Sequence, residues 1–307
     1  MEYYIGIDLG GTNVRTILVD EIGTILSEVA GPSHASEGMA AVTDVIKNQI
    51  RGLDCGAIGG LEAVAGIGIG VPGLVDPKAK VIKFANNLTG YQNYRICDVL
   101  SKEFGKECFI DNDANVAGLA EALLGAGKGY PSVYYITIST GIGGAYIFEG
   151  RVVSGNNHHA GEIGNMIVDS NGIKNGVMNA GAIETMASGT ALVKIGRSMV
   201  KKDLEHAGEL FELAHQGNRQ AAIIANRAID SYAIMLANIA HTIDPHCFVL
   251  GGGVMNSADY FLADLTVRFN NRLYPGMVDG TPVFKAQLEM PGALGAAMLA
   301  KSHLRGN

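Results

Sequence analysis

Apolar residues along the chain alternate with polar ones or form short continuous runs, which is the pattern of β-strands. This pattern predicts strands at residues 3–9, 14–20, 24–29, 64–71, 108–110, 133–138, 145–149, 152–154, 247–250 and 283–285. Apolar residues at helical spacing predict helices at residues 39–53, 96–104, 115–124, 185–199, 207–215, 219–242, 257–272 and 293–303. Because strands followed by helices occur twice, we expect an α/β protein of two similarly built lobes, with a small-molecule cleft between them.

The two halves are not separated by a segment of low complexity, so the pattern places the boundary inside a predicted helix. We expect a small N-terminal α/β lobe at residues 1–117 and a larger α/β lobe at residues 118–291. The last predicted helix follows Pro291 and Gly292. We expect residues 292–307 to return to the first lobe.

The composition restricts the kinds of molecule that the protein is expected to bind. Of the 307 residues, 48% are apolar and 17% charged, which is typical of a compact globular chain. The net charge is −7 and no run of Lys or Arg occurs, which argues against nucleic-acid or anionic membrane surfaces. The four cysteines lack metal-site spacing, and the first strand leaves no room for a signal peptide. We therefore expect a cytoplasmic protein with reduced thiols that acts on small molecules.

Two glycine-rich turns are the most informative motifs. Residues 8–13 read Asp–Leu–Gly–Gly–Thr–Asn, and residues 139–144 read Ser–Thr–Gly–Ile–Gly–Gly. Each follows a β-rich run and leads into a second apolar strand. Glycine lets the backbone approach a ligand closely and present N–H groups to it. Either turn alone is compatible with an ordinary hairpin; together they predict two loops that bind a phosphate chain.

Eight motifs, in order along nearly the whole chain, resemble the ROK group of bacterial sugar kinases and sugar-responsive repressors. That group has the two-lobed, actin-like ATPase (ribonuclease H-like) fold. The matching motifs are Asp8–Asn13, Gly70–Gly73, Asn86–Leu88, Asp111–Asn115, Ser139–Gly144, Gly161–Gly164, Ser188–Leu192 and Leu250–Val254.

The resemblance implies ATP and Mg²⁺ as cofactors and assigns residues to them. Phosphoryl transfer needs groups that stabilise charge on the γ-phosphate and a base for the accepting hydroxyl. Asp8 is expected to reach Mg²⁺, directly or through water. The nucleotide contacts are expected from Gly10, Gly11, Thr12, Asn13, Arg15, Thr140, Gly141, Gly251, Gly252 and Gly253.

The catalytic base is sought at the end of the strand 108–110. From the residues alone, Asp113 is either a base or the N-cap of the following helix, and Asp111 is an equal candidate for the base. The resemblance assigns the base to Asp113 and a sugar contact to Asn112.

Hexose hydroxyls both donate and accept hydrogen bonds, so a sugar site needs carboxylate and amide partners. Glu162 and Glu184 are the candidate carboxylates, although Glu184 also fits an exposed acid in the first turn of a helix. By resemblance, Gly73, Asn86 and Asn87 add further sugar contacts. His158 and His159 are left outside the site, since a pair of loop histidines more often faces solvent.

The leading interpretation is an ATP-dependent hexose kinase that phosphorylates the C6 hydroxyl, with glucose as the first candidate. Alternatives are an N-acetylmannosamine or N-acetylglucosamine kinase, another hexose or β-glucoside kinase, a binding module without turnover, and a sugar-sensing repressor. A repressor of this group carries a helix-turn-helix ahead of the first hairpin, where this sequence has about two residues. Family habit and the low charge content favour a homodimer.

The sequence departs from the family where most members bind a structural zinc. The usual histidine position holds Asn165, and the usual cysteine positions fall near Asn175, Val177 and Ala182. Loss of that histidine is also expected to affect selectivity at the sugar's C1–C2 side.

We predict that the purified protein carries no structural zinc, because amide and aliphatic side chains do not replace thiolate or imidazole as zinc ligands. Elemental analysis of protein dialysed against metal-free buffer checks this. Zinc at one equivalent per chain would contradict the prediction.

Overall fold

The computed structural model describes residues 1–85, 88–277 and 281–306, and within them the chain forms twelve strands and nine α-helices. The strands are β1 (Tyr3–Leu9), β2 (Asn13–Asp20), β3 (Ile25–Pro32), β4 (Val64–Val71), β5 (Leu74–Asp76), β6 (Val81–Phe84), β7 (Glu107–Asn112), β8 (Ser132–Ile138), β9 (Ile142–Phe148), β10 (Arg151–Val152), β11 (Cys247–Gly251) and β12 (Val283–Lys285). The helices are α1 (Met39–Gly52), α2 (Ile96–Phe104), α3 (Asp113–Leu123), α4 (Ile183–Ala187), α5 (Gly189–Met199), α6 (Ala207–His215), α7 (Arg219–Ile243), α8 (Leu262–Asn270) and α9 (Pro291–Leu304). The predicted α/β class is confirmed.

Two five-stranded sheets share one strand order. The first runs β3-β2-β1-β4-β7 and the second β10-β9-β8-β11-β12, so each reads 3-2-1-4-5 in its own chain order. In the first sheet, β2 is antiparallel to β1 and β3, and β4 is parallel to β1 and β7. In the second sheet, β11 is parallel to β8 and β12. The repeated order is the structural basis of the repeat seen in the sequence.

The chain divides into two compact units. The first contains Met1–Gly129, Ala145–Ala160 and Gln287–Asn307, and the second contains Tyr130–Gly144 and Gly161–Ala286. The first unit therefore extends beyond residue 117, because helix α3 continues to Leu123 and packs along α9. The C-terminal helix α9 belongs to this first unit.

Two predicted helices differ in detail from the structure, and two observed strands were not predicted. The predicted helix 185–199 is two helices, α4 and α5, because Ser188 is extended and its side chain caps Ala191 N–H at 3.2 Å. The predicted helix 257–272 begins instead as a 3₁₀ helix, Gly253–Tyr260, and the chain turns at Phe261 before α8. Strands β5, of three residues, and β6, of four, were not predicted.

All four cysteines are buried and none forms a disulfide. Cys97 and Cys108 lie closest, with their sulfur atoms 3.1 Å apart. In the part of the chain that the structure describes, no helix combines the length and apolar character needed to cross a membrane.

Helix α9 lies directly against the backbone of the first sheet. A methyl group built on Gly6 of β1 would come 2.0 Å from the Ala293 carbonyl oxygen, and one on Gly68 of β4 would come 1.7 Å from the Ala296 carbonyl oxygen. Both neighbours are backbone atoms of α9, which cannot rotate away as a side chain does. Glycine at these positions is therefore required for the helix to pack on the sheet.

We predict that Gly68→Ala destabilises the protein by about 3 kcal/mol or more, since overpacking against backbone forces α9 away from β4. Urea unfolding followed by circular dichroism measures this. Gly52→Ala is the matched control: its added methyl group would meet only Val29 Cγ2, at 3.7 Å. An unchanged urea midpoint in Gly68→Ala would contradict the packing.

Candidate active site

The turn between β1 and β2 presents its backbone to solvent. Gly10 N–H donates to the Asn13 carbonyl at 2.8 Å, which closes the turn, and residues 11–13 are exposed. A cavity of about 620 Å³ lies over this turn and is lined by Asp8, residues 10–15, Ala30 and Gly31. The six residues of the predicted phosphate-binding motif in this unit, Asp8, Gly10–Asn13 and Arg15, therefore share one surface.

Ser33 holds this turn from behind and was missed by the sequence reasoning. It is fully buried, its N–H donates to the Thr12 carbonyl at 2.8 Å, and its hydroxyl donates to the Gly11 carbonyl at 3.1 Å. The Gly11 and Thr12 carbonyls thus both accept hydrogen bonds from Ser33, and these bonds fix the orientation of their peptide planes. A serine directly after Pro32 was the only signal in the sequence.

Asp8 and Arg15 face one another across the β1–β2 pair. Burial raises the pKa of the Asp8 carboxyl, and the positive charge of Arg15 opposes that rise. The Asp8 carboxylate also lies against Gly292 in the first turn of α9, where a methyl group would come 2.4 Å from Oδ2. The Arg15 side chain is itself tied to β3, with Nε 2.9 Å from Glu28 Oε1.

The residues at this turn fit a magnesium ion that arrives with a nucleotide. Among the described residues there is no group of three or more His, Cys, Asp or Glu side chains placed to hold a metal. Mg²⁺ bound together with substrate phosphates needs only one or two carboxylates and keeps several waters. Asp8, a half-buried carboxylate beside exposed backbone N–H groups, meets that requirement alone.

Asn112 and Asp113 occupy different positions at the N-terminus of α3. Asn112 is the N-cap: its Oδ1 accepts from Ala114 N–H at 2.8 Å, and its Nδ2 donates to the Gly73 carbonyl at 2.7 Å. Asp113 is the first helical residue and is exposed, and its Oδ1 also accepts from Ala114 N–H at 2.8 Å. Asn112 is therefore the N-cap, and Asp113 shares the Ala114 N–H with it.

Gly73 is needed for this arrangement. It has φ +91°, and an added methyl group would come 2.1 Å from the Phe84 carbonyl oxygen. Only glycine adopts this conformation in that space, and the conformation turns its carbonyl toward Asn112.

Asp111, the other candidate for the base, is buried, and its carboxylate already accepts hydrogen bonds from the protein. It is 4% exposed, and its Oδ1 accepts from Asn112 N–H at 2.7 Å and from Asn115 Nδ2 at 2.8 Å. Burial raises the pKa of its carboxyl, and these two hydrogen bonds oppose the rise. Asp111 holds the strand end in place, whereas Asp113 presents its carboxylate at the surface.

In the second unit, the turn between β8 and β9 is held by α5. Ser139 N–H donates to the Gly141 carbonyl at 2.9 Å, and the Ser139 carbonyl accepts from Gly189 N–H at 2.7 Å. Thr140 is exposed and Gly141 partly exposed. The first residue of α5 thus lies against the turn, so that helix N-terminus and turn backbone are adjacent.

Glu184 contacts this same turn. Its Oε2 accepts from Ile142 N–H at 2.8 Å, and a methyl group on Gly141 or Gly164 would come 2.5 or 3.0 Å from that oxygen. Glu162 is exposed and immediately precedes the 3₁₀ helix Ile163–Asn165. The structure therefore brings Glu184 to the turn and leaves Glu162 on the neighbouring loop.

The three glycines at the end of β11, Gly251–Gly253, have different surroundings. Gly253 lines a cavity of about 750 Å³, whereas Gly251 packs on Tyr135 and Gly252, at φ +87°, packs on the Ile138 backbone. The other lining residues, which the sequence reasoning missed apart from Thr140, come from the β8–β9 turn, α5, the start of α6 and the 3₁₀ helix. They are Ser139, Thr140, Gly189, Thr190, Val193, Lys194, Arg197, Glu205, His206, Ala207, Gly208, Val254, Asn256 and Ser257.

Asn165, at the position where the family pattern has a zinc-binding histidine, closes a loop by a hydrogen bond. Its Oδ1 accepts from Asn179 N–H at 2.7 Å. Val168 N–H donates to the Gly181 carbonyl at 2.9 Å and completes the base of the loop. The absence of zinc stays a prediction. The predicted sugar contacts Asn86 and Asn87 lie outside the described residues.

The chain belongs to the ROK family, whose model matches residues 4–303. It is 31% identical to a glucokinase of Thermotoga maritima over 98% of each chain. Its structure is similar to a ROK hexokinase from Thermus thermophilus, with a TM-score of 0.89, 31% identity, and coverage of 99% of this chain and 100% of that one. It is also similar to a ROK glucokinase from Streptomyces griseus in complex with glucose and AMPPNP, with a TM-score of 0.78, 29% identity and coverage of 98% and 99%. The fold is the two-lobed, actin-like fold of ROK sugar kinases.

Relatives with other names match at similar identity. A xylose repressor of Bacillus spizizenii is 30% identical, with 98% of this chain matching 77% of the repressor. An N-acetyl-D-glucosamine kinase of Haemophilus influenzae is 29% identical over 82% of this chain and 84% of the kinase. The kinase character of the site is thus supported by several relatives, while their substrates differ.

Proposed function

We propose that this protein is an ATP-dependent hexose kinase that transfers the γ-phosphate to the C6 hydroxyl of the sugar, with glucose as the preferred substrate. The observation that carries the proposal is the exposed Asp113, the first residue of α3, beside Asn112, which caps that helix, and a buried Asp111. The match to glucokinases over nearly the whole chain supports the same activity.

In the proposed reaction, the sugar hydroxyl oxygen attacks the γ-phosphorus while its proton passes to the Asp113 carboxylate. The new P–O bond forms as the bond between the γ-phosphorus and the β–γ bridging oxygen breaks, and ADP leaves. Asn112 retains one amide hydrogen and one oxygen lone pair beyond its protein bonds, which are available to a sugar hydroxyl. Gly73, Glu162 and Glu184 are proposed as further sugar contacts, together with Asn86 and Asn87.

The nucleotide is proposed to bind through backbone groups of the two turns. Gly11–Asn13 and Thr140–Gly141 supply N–H groups, and Thr12, Asn13 and Arg15 supply side chains to the phosphates. Gly10, whose own N–H closes the turn, permits close approach of the nucleotide. Gly251–Gly253 would permit close approach of the adenosine, for which the 750 Å³ cavity in the second unit offers room. Mg²⁺ held with Asp8 would neutralise charge on the β- and γ-phosphates. The homodimer and the cytoplasmic location stay predictions.

We predict sugar-dependent ADP release with glucose in a coupled assay, and weaker release with N-acetylmannosamine, N-acetylglucosamine and β-glucosides. ³¹P NMR of the product identifies the phosphorylated hydroxyl. Faster turnover of an N-acetylhexosamine would transfer the proposal to that class, which the 29% identical kinase relative also supports. No sugar-stimulated ADP release with any of these would exclude the kinase.

We predict that Asp113→Asn lowers kcat by about 10²–10⁴-fold, because the amide cannot accept the hydroxyl proton. The coupled assay at saturating ATP and sugar measures this, and circular dichroism confirms folding. Asp98→Asn is the matched control, since Asp98 is an acid in the first turn of α2 in the same unit. Near-normal turnover of folded Asp113→Asn would remove Asp113 as the base.

A further inference from the structure

A second cavity in the first unit is not used by the proposed reaction. We name it the β7-edge cavity, since it adjoins β7, the last strand of the first sheet. Its volume is about 610 Å³, and it is lined by the β5–β6 turn, β7, the chain at and after β10, and the end of α9. The lining residues that matter here are Lys78, Lys80, Arg151, His158, His303 and Asp111.

Positive charge is concentrated around this cavity. Lys78, Lys80 and Arg151 line it, in a chain whose net charge is −7. Lys80 Nζ lies 3.4 Å from Glu107 Oε1, which partly neutralises it, while Lys78 is exposed and has no ion pair within the described residues. Asp111 is the one carboxylate among the described lining residues, and its Oδ1 already accepts two hydrogen bonds. The surface therefore favours an anion.

The His303 imidazole at the cavity wall lies close enough to Lys80 and Arg151 for their charges to act on it. Partial desolvation of the ring and the charge of Lys80 lower the pKa of its imidazole; the charge of Glu107 opposes that fall, and the charge of Arg151 adds to it. Lys80 and Arg151 therefore both lie near the His303 ring at the cavity wall. The His303 ring stacks on Phe109, with centroids 4.7 Å apart, and Lys80 Nζ lies 4.5 Å from the centroid of the same Phe109 ring.

His158 and Lys80 are held in an unfavourable backbone conformation. Their φ angles are +59° and +55°, in the left-handed region that residues with a side chain rarely adopt. His158 Nδ1 is buried and has no hydrogen-bond partner among the described residues, while Nε2 lies 3.4 Å from Asp76 Oδ1. Strained residues and unsatisfied buried polar atoms are uncommon in native structures and concentrate at binding sites.

We propose that the β7-edge cavity binds a small organic phosphate monoester. The phosphate dianion would lie among Lys78, Lys80 and Arg151, because a phosphate offers several acceptor oxygens to cationic donors. The organic part would contact the exposed His303 ring and the half-buried side chains of Pro77 and Val152. Binding itself does not depend on the proposed kinase activity.

The cavity adjoins the proposed base through one residue. Asp111 lines the cavity and also accepts the Asn112 N–H, directly before Asp113. If the proposed function holds, the product of the reaction is itself a phosphate monoester, and glucose 6-phosphate is therefore the probe.

The test is an NMR titration of the full chain at constant pH, in which the imidazole C–H signals of all eight histidines are followed. Glucose 6-phosphate is expected to shift the His158 and His303 signals saturably. Arg151→Gln and Lys78→Gln should each weaken binding by about threefold to tenfold, because each removes a cationic partner. Lys102→Gln, which removes an exposed charge of α2, should leave binding unchanged.

Two further arms separate the possible outcomes. In Asp113→Asn protein the His158 and His303 signals should shift over the same ester concentrations as in wild type, whatever happens at the catalytic site, so loss of catalysis and loss of this cavity site are distinguishable. Inorganic phosphate should bind more weakly than the ester, and equal affinity would overturn the organic part of the assignment. The proposed binding site would be overturned if the His158 and His303 signals showed no saturable shift. It would also be overturned if Arg151→Gln and Lys78→Gln both bound the ester as tightly as wild type.

Discussion

The contact of helix α9 with the first sheet is the constraint on which the first half of the site depends. Gly68 lets the helix backbone lie directly on β4, and this fixes the position of the whole helix. Its N-terminal turn then places Gly292 against the Asp8 carboxylate. Further along, Gly295 lies against the backbone of α3, the helix that begins with Asp113. One helix without charged residues in its first turns thus positions the proposed metal ligand and the proposed base.

The parts of the fold that the sequence predicted well are those decided by local chemistry. A glycine-rich turn between two apolar strands identifies a hairpin, and both hairpins are present as β1–β2 and, in the second sheet, β8 and β9. Local patterning fails where two signals compete. Ser188 ends one helix and caps the next within a continuous apolar spacing, so the pattern over 185–199 indicated one helix. Asn112 and Asp113 are both good caps, and only their positions in space show which one caps.

The parts of the site that the sequence could not predict depend on contacts between distant residues. Ser33 reaches the Gly11 carbonyl across 22 positions, and Glu184 reaches Ile142 across 42. Neither pairing leaves a periodic signal, because each joins a single side chain to a single backbone group. Lys194 and Arg197 are also invisible as site residues in the sequence, since a cation on an amphipathic helix such as α5 is typical of any solvent-facing surface.

The loop 169–181 shows how a chain of this family can hold its shape with its own backbone. Gly181 has φ +72°, and an added methyl group would come 1.8 Å from the Asp169 carbonyl oxygen; one on Gly172 would come 2.4 Å from Gly181 Cα. Two glycines packed together bring the loop's ends close enough for Asn165 Oδ1 to accept from Asn179 N–H. A metal contributes to such a loop mainly by closing it, and short-range closure by backbone hydrogen bonds serves the same end. The substitution of histidine by asparagine is therefore compatible with an ordered loop beside Glu184.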